Sequence, residues 1–251
     1  MQIQAVFLDL DGTLLNYEGV DWADTVREVC AALGQSRPGL DTARLFTTYT
    51  KRTQAYFAQL DRLGTAWDLA NADGFDVWRN MWSQALSECG YSQAAAADEA
   101  VDRYTADRAA RYRLFDDALP CIAELRTRVG RLAIITNGPG RTQQHKIDAT
   151  GLTDLVDAVV TSGAAGVAKP DPAIFEIAAK ELGVPSASAW HVGDSMAADI
   201  AGARRAGLAA AIWLDRRPRR LRNLARQAVR RSPRPHHTVS SLSELPALLP
   251  N

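Results

Sequence analysis

Cysteine is scarce and poorly placed for cross-linking. Cys30, Cys89 and Cys121 are odd in number and widely separated, with no Cys-x-x-Cys pair and no histidine at metal-ligand spacing. That usage leaves no disulfide framework or zinc cluster to read, and it suits a reduced, cytoplasmic setting. Net charge is also missing: 29 basic and 29 acidic residues cancel, so no overall field recommends nucleic acid or a membrane surface as partner. No run approaches the roughly 18 apolar residues of a membrane span. No basic region with a long apolar segment precedes the first strand. A soluble, unexported protein is the expectation. What is present is ordinary globular material, 251 residues with 47% apolar and 23% charged side chains, enough for a large core and two lobes.

The chain is organised around Ala5-Val6-Phe7-Leu8-Asp9-Leu10-Asp11-Gly12-Thr13. A short unbroken apolar run stopped by Asp-Gly reads as a buried parallel strand entering a tight turn. Ligands in open α/β sheets collect outside the carboxyl ends of the strands, which aims Asp9 and Asp11 at a bound substrate or metal. Alone, the same residues could be an acidic turn without chemistry.

After Leu15 the strand signal disappears until about Arg113. Trp22, Val26, Val29 and Leu33 have helical spacing, as do Leu45 with Tyr49, and Tyr56 with Leu60 and Leu63; a further helix is expected from Asp73 to Leu86, with breaks near Gly34, Gly64 and Gly90. Four of the six tryptophans lie in this insert, most of them expected in its core, with one or two left that could line a pocket. From Leu114 strands and helices alternate. Helices are expected at 118–128, 143–150, 173–182 and 196–206, and strands at 131–136, 158–161, 189–192 and 208–214. Alternation of this kind implies βαβ units. The fold class is therefore α/β: a Rossmann-like parallel-sheet core, 1–16 and 114–251, with an inserted all-helical cap domain, 17–113.

Polar residues gather at the predicted strand ends: Asp9 and Asp11, then Thr136-Asn137-Gly138, Lys169 in the next loop, and Asp194-Ser195 with Asp199 beyond. Several carboxylates, a lysine, a hydroxyl and a glycine turn suit phosphoryl transfer, where catalysis is mostly positioning and charge neutralisation. Asp9 and Asp194 are hard oxygen ligands matched to Mg²⁺. Thr136 and the amides after it could hold phosphate oxygens, with Lys169 as the positive clamp. Each has a plain alternative: Thr136 a strand-end hydroxyl, Lys169 a surface lysine, Asp194 a helix cap. Joint appearance at successive strand ends favours the site.

Asp9-Leu10-Asp11-Gly12-Thr13, Thr136-Asn137-Gly138, Lys169-Pro170 and Gly193-Asp194-Ser195 with Asp199 resemble, in order and spacing, the four motifs of the haloacid dehalogenase superfamily of hydrolases. The insert resembles the helical cap of its first subfamily, and 134–147 with 167–175 are similar to the phosphatase branch holding pyrimidine 5′-nucleotidases and acylneuraminate phosphatases. The resemblance implies that Asp9 attacks phosphorus and forms an aspartyl-phosphate, while Asp11 protonates the leaving oxygen and then activates water. It maps the metal ligands to Asp9, the Asp11 carbonyl and Asp194, and leaves Asp199 and Ser195 in supporting positions around Lys169 or a metal-bound water. A Mg²⁺-dependent phosphatase for a small phosphomonoester, a nucleotide or sugar phosphate, is expected. Family members that remove halide lack the second aspartate, since halide departs without a proton, so Asp11 disfavours a 2-haloacid dehalogenase. A phosphomutase of the β-phosphoglucomutase type shares both aspartates and stays open.

One stretch stands outside this scheme. Residues 216–234 carry nine arginines and no acid. A basic surface helix along Leu221, Leu224 and Ala228 is the milder reading; the sharper one is a contact for an anionic partner such as RNA or an acidic protein, which would make a binding protein rather than an enzyme. The absence of interleaved aromatics for base stacking favours the milder. No metal is assigned to the adjacent His236 and His237.

Overall fold

The computed structural model describes residues 2–17, 20–63, 73–217 and 234–250. Six parallel strands form the main sheet in the order β5-β4-β1-β6-β7-β8. These are β1 (Ala5–Leu8), β4 (Arg131–Thr136), β5 (Ala158–Thr161), β6 (Ala189–Gly193), β7 (Ala210–Leu214) and β8 (His237–Val239). A small antiparallel pair, β2 (Leu15–Asn16) with β3 (Arg113–Leu114), brackets the insert. The sequence reading missed this pair because two-residue strands carry no periodicity.

The first strand is central because it is apolar on both sides. All four of its residues are buried, as a strand covered on both faces requires. It pairs with β4 through Ala5↔Arg131 and with β6 through Ala5↔Ala189. Strand order runs outward from β1 through β4 to β5 and then returns to β6, so it reverses at β1, where open α/β sheets bind ligands. On one face Phe7, Ile135, Ile174, Phe175 and Trp213 share a core. Each such side chain contributes on the order of 1.5–3 kcal/mol when fully buried. The helix Pro172–Leu182 starts cleanly: Asp171 accepts from the Ala173 amide at 2.9 Å, and Pro172 occupies the first turn, where no amide hydrogen is needed.

Two helical expectations need correction. The expected helix at 196–206 is a π-helical turn, Met196–Ile200, followed by a short α-helix, Ala201–Arg205. The wider turn accompanies Asp199, whose side chain folds back to accept from the Ser195 amide at 2.9 Å. The helix expected from 143 begins earlier, at Gly140–Ala149.

The chain divides into two compact units: Met1–Tyr17 with Arg113–Gly138 and Thr150–Asn251, and Glu18–Tyr112 with Pro139–Ala149. The second is helical, built from Trp22–Ser36, Thr42–Leu63, Gly74–Glu88 and Ala94–Arg111 around Val29, Leu33, Leu45, Tyr49, Trp82 and Leu86. Tyr49 stacks on Trp82 with ring centroids 3.8 Å apart. Residues 139–149 group with these helices: Arg141 pairs with Asp73 at 2.6 Å, and a Cβ on Gly74 would lie 2.0 Å from Thr142 Oγ1, so only glycine permits that approach. The predicted break at Gly64, the side chains of Leu60 and Leu63, Trp67 and most of the arginine-rich stretch, 218–233, lie outside the described residues. No described helix is long and apolar enough to cross a membrane.

Candidate active site

The site grows from the end of β1. Asp9 continues the strand, its amide donating to the Val192 carbonyl at 2.9 Å, and the residue is buried at 6% exposure. Two residues on, the chain turns at Gly12, whose φ of +83° few side-chain-bearing residues adopt. A Cβ there would also sit 2.6 Å from Asp194 Oδ2. Gly12 therefore lets the first loop lie against the carboxylate at the end of β6. Asp11, half-buried, accepts a hydrogen bond from the Tyr17 hydroxyl.

Lys169 is the hub. Its ammonium donates to Asp9 Oδ1 at 2.6 Å, Asp199 Oδ1 at 2.7 Å and the Ile135 carbonyl at 2.9 Å, so its three protons are matched by three acceptors. Its backbone is held by Asn137: Lys169 N donates to Asn137 Oδ1 at 2.8 Å, and Asn137 Nδ2 donates to the Lys169 carbonyl at 2.9 Å. Gly138 donates its amide to Ser162 Oγ at 2.9 Å, and Thr136 is buried at the tip of β4 beside Thr161. Asp199 is fully committed. Its Oδ1 also accepts from His191 Nε2 at 2.9 Å, and its Oδ2 accepts from the Ser195 amide. A Cβ on Gly193 would lie 2.2 Å from the Asp199 carboxyl carbon, so glycine is required at that strand end.

The charges follow from this packing. Burial is the largest influence on Asp9 and, with Asp199 and Asp11 nearby, pushes it up to about 7 against the opposing pull of Lys169. Desolvation by its neighbours also raises Asp194, helped by Asp199, although part of the residue stays open to solvent. Burial alone would raise Asp199 too, but Lys169 and His191 hold it well below the usual carboxylate range. Lys169, although buried, is held charged by its two carboxylates. Burial lowers His191, so its ring is neutral, and the carboxylate facing Nε2 assigns the proton to that nitrogen.

Carboxylate oxygens of Asp9, Asp194 and Asp199 all lie within 4.8 Å of one another. These are hard oxygen donors of the kind Mg²⁺ takes, and Asp194 is exposed, leaving room for the waters that ion keeps. Because both oxygens of Asp199 are occupied, Asp9 and Asp194 are the carboxylates that fit a divalent cation. His191 and Tyr17 were not singled out from the sequence. A histidine inside the otherwise apolar run Ala189-Trp190-His191-Val192 was a usable signal; nothing local marked Tyr17.

The family model described as haloacid dehalogenase-like hydrolase matches residues 3–207. The chain belongs to the haloacid dehalogenase-like hydrolases. Human N-acylneuraminate-9-phosphatase is 32% identical over 252 residues, covering 99% of this chain and 94% of that protein. A phosphoserine phosphatase of Thermus thermophilus is 30% identical over 233 residues, covering 85% of this chain and 89% of that protein. Among solved structures, a 2-haloacid dehalogenase from Pseudomonas syringae pv. Tomato DC3000 is similar with a TM-score of 0.70 at 25% identity, covering 99% of this chain and 98% of that one. In this hydrolase the four strand-end motifs lie within one unit.

Proposed function

We propose that this hydrolase is a cytoplasmic, Mg²⁺-dependent phosphatase that cleaves a small phosphomonoester, a nucleotide or sugar phosphate, through an aspartyl-phosphate on Asp9. The observation that carries the reading is a buried Asp9 carboxylate 2.6 Å from the Lys169 ammonium, with Asp194 in cation-sharing range and a second carboxylate, Asp11, two residues on. In this account Asp9 displaces the alcohol from phosphorus, and Asp11 delivers a proton to the departing oxygen. Asp11 then takes a proton from water as that water cleaves the acyl phosphate, which releases phosphate and restores both groups. Thr136, the amides of Asn137 and Gly138, and Lys169 hold the phosphoryl oxygens, with Asp199 and Ser195 supporting Lys169. Asp9, the Asp11 carbonyl and Asp194 would hold Mg²⁺, which supplies positive charge against the phosphate when bound. Residues 1–16 and 114–251 act as catalytic core and 17–113 as cap. Support comes also from relatives named as phosphatases, and Asp11 separates the reading from dehalogenation.

The test is hydrolysis of p-nitrophenyl phosphate with Mg²⁺ and with chelator, followed by a panel of nucleoside monophosphates, sugar phosphates, phosphoserine and N-acylneuraminate 9-phosphate. Asp9→Asn should retain the native circular dichroism spectrum and lose on the order of 10⁴-fold or more in kcat, as when a nucleophile is removed. Mg²⁺-dependent turnover persisting in a folded Asp9→Asn variant overturns the assignment.

A further inference from the structure

The helical unit holds an arginine whose surroundings differ from those of its neighbours. On the helix Ala94–Arg111, Arg103 and Arg111 are each paired with an acid one turn back, Glu99 at 3.0 Å and Asp107 at 2.6 Å. Arg108 has Tyr104 one turn back and Tyr112 four residues on. Its guanidinium carbon lies 3.9 Å from the Trp22 ring centroid, 5.3 Å from Trp78, 5.4 Å from Tyr104 and 5.9 Å from Tyr112. Nε donates to the Tyr112 hydroxyl and Nη1 to the Tyr104 hydroxyl, both at 3.3 Å. Among the described residues no carboxylate pairs with Arg108 and no acceptor takes Nη2.

Aromatic faces attract a guanidinium, but they offset only part of the cost of partly withdrawing it from water without a counter-charge. Nε and Nη1 each give one proton to a tyrosine, and both protons of Nη2 and the second of Nη1 are left to give. Those remaining donors match the oxygens of a carboxylate. A single cation between flat aromatic walls suits a planar monoanion better than a phosphate dianion, which calls for several donors. Trp22 and Trp78 are half-buried, in contrast to Trp82, which is fully enclosed.

We infer that Arg108, walled by Trp22, Trp78, Tyr104 and Tyr112, is a carboxylate-binding site for a small organic acid. The ligand is held within the helical unit, and this inference stands apart from the phosphatase reading.

The experiment uses the full chain and Arg108→Gln and Arg108→Lys variants, each checked by thermal melting. Glycerate and acetate are titrated against tryptophan fluorescence, with ethanol and glycerol as uncharged controls. Binding at Arg108 gives saturable quenching by the acids in the parent protein, which Arg108→Gln removes and Arg108→Lys partly restores. The same quench in a folded Arg108→Gln variant, or no quench by either acid in the parent, overturns the inference.

Discussion

Asp199 and Lys169 form a 2.7 Å ion pair with side chains only 1% and 2% exposed. Water screens almost none of that attraction, and removing one partner of such a pair leaves an uncompensated buried charge, a loss of about 3–5 kcal/mol. Asp199→Asn keeps the shape and removes the charge. The expected result is a lower melting temperature together with a fall in kcat of about 10–100-fold, the range typical of groups that orient a site from behind. An unchanged kcat in the folded variant would remove Asp199 from any role in holding Lys169.

The proposed function makes Asp11 the proton donor to the leaving group, so its loss should depend on what leaves. Asp11→Asn is expected to lower kcat/KM by about 10²–10⁴-fold on an alkyl phosphate such as glycerol 3-phosphate. The loss should be much smaller on p-nitrophenyl phosphate, whose phenolate departs with little help. Equal losses on both esters would show that Asp11 acts in some other way. Tyr17→Phe, which removes the hydroxyl that donates to Asp11, should shift the pH profile measured on the alkyl ester.

Gly12 tests the contact between the first loop and Asp194. Gly12→Ala adds a methyl 2.6 Å from Asp194 Oδ2 at a φ of +83°. The backbone strain alone is about 1–2 kcal/mol. Since Asp194 is the side chain displaced, the Mg²⁺ concentration giving half-maximal activity should rise, as a titration of turnover against Mg²⁺ would reveal. An unaltered metal requirement would separate Asp194 from the cation.

Asp117 ties the C-terminal strand region to the rest of its unit. It takes two hydrogen bonds from Arg216, at 2.8 and 3.0 Å, and one from the Leu242 amide at 2.9 Å. Burial would raise its pKa, but Arg216, Ser241 and the Leu242 amide together hold it below the usual carboxylate value. A depressed folded-state pKa contributes stability that is present above the unfolded value, about 3.9, and is lost as pH falls through the folded one. Asp117→Asn should therefore cost about 1–3 kcal/mol at neutral pH, with the difference from the parent shrinking in strong acid. Urea denaturation at several pH values measures it; a pH-independent difference would place the effect in packing.

Much of this molecule could be read in one dimension, and the reasons are local. The run Ala5 to Leu8 is apolar at every position because it is covered on both faces, and Pro172 after Asp171 marks a helix start by its own chemistry. Asp9 and Asp194 announce themselves as charged residues at the ends of apolar strands, and Lys169 as a lysine beside proline in the loop beyond one. His191 did so more faintly, and Tyr17 not at all, because its meeting with Asp11 is set by the path of the turn. The π-helical turn at Met196–Ile200 was hidden for a similar reason: its composition is that of an ordinary helix, and the distinguishing event is a side chain bonding back to Ser195. The aromatic surround of Arg108 is legible only once Trp22 and Trp78 are brought to it from other helices.

The middle position of the N-terminal strand has a consequence for how the protein is made. Ala5 pairs with Arg131 on one side and Ala189 on the other, so both lateral neighbours of this strand are translated more than a hundred residues after it. A nascent chain therefore emerges with this apolar segment unpaired while the helices that follow are synthesised, and Asp9 next to it has no lysine to meet until Lys169 leaves the ribosome. Such long-range closure is slow and exposes sticky intermediates, which makes this short segment the place where chaperone protection during synthesis would matter most.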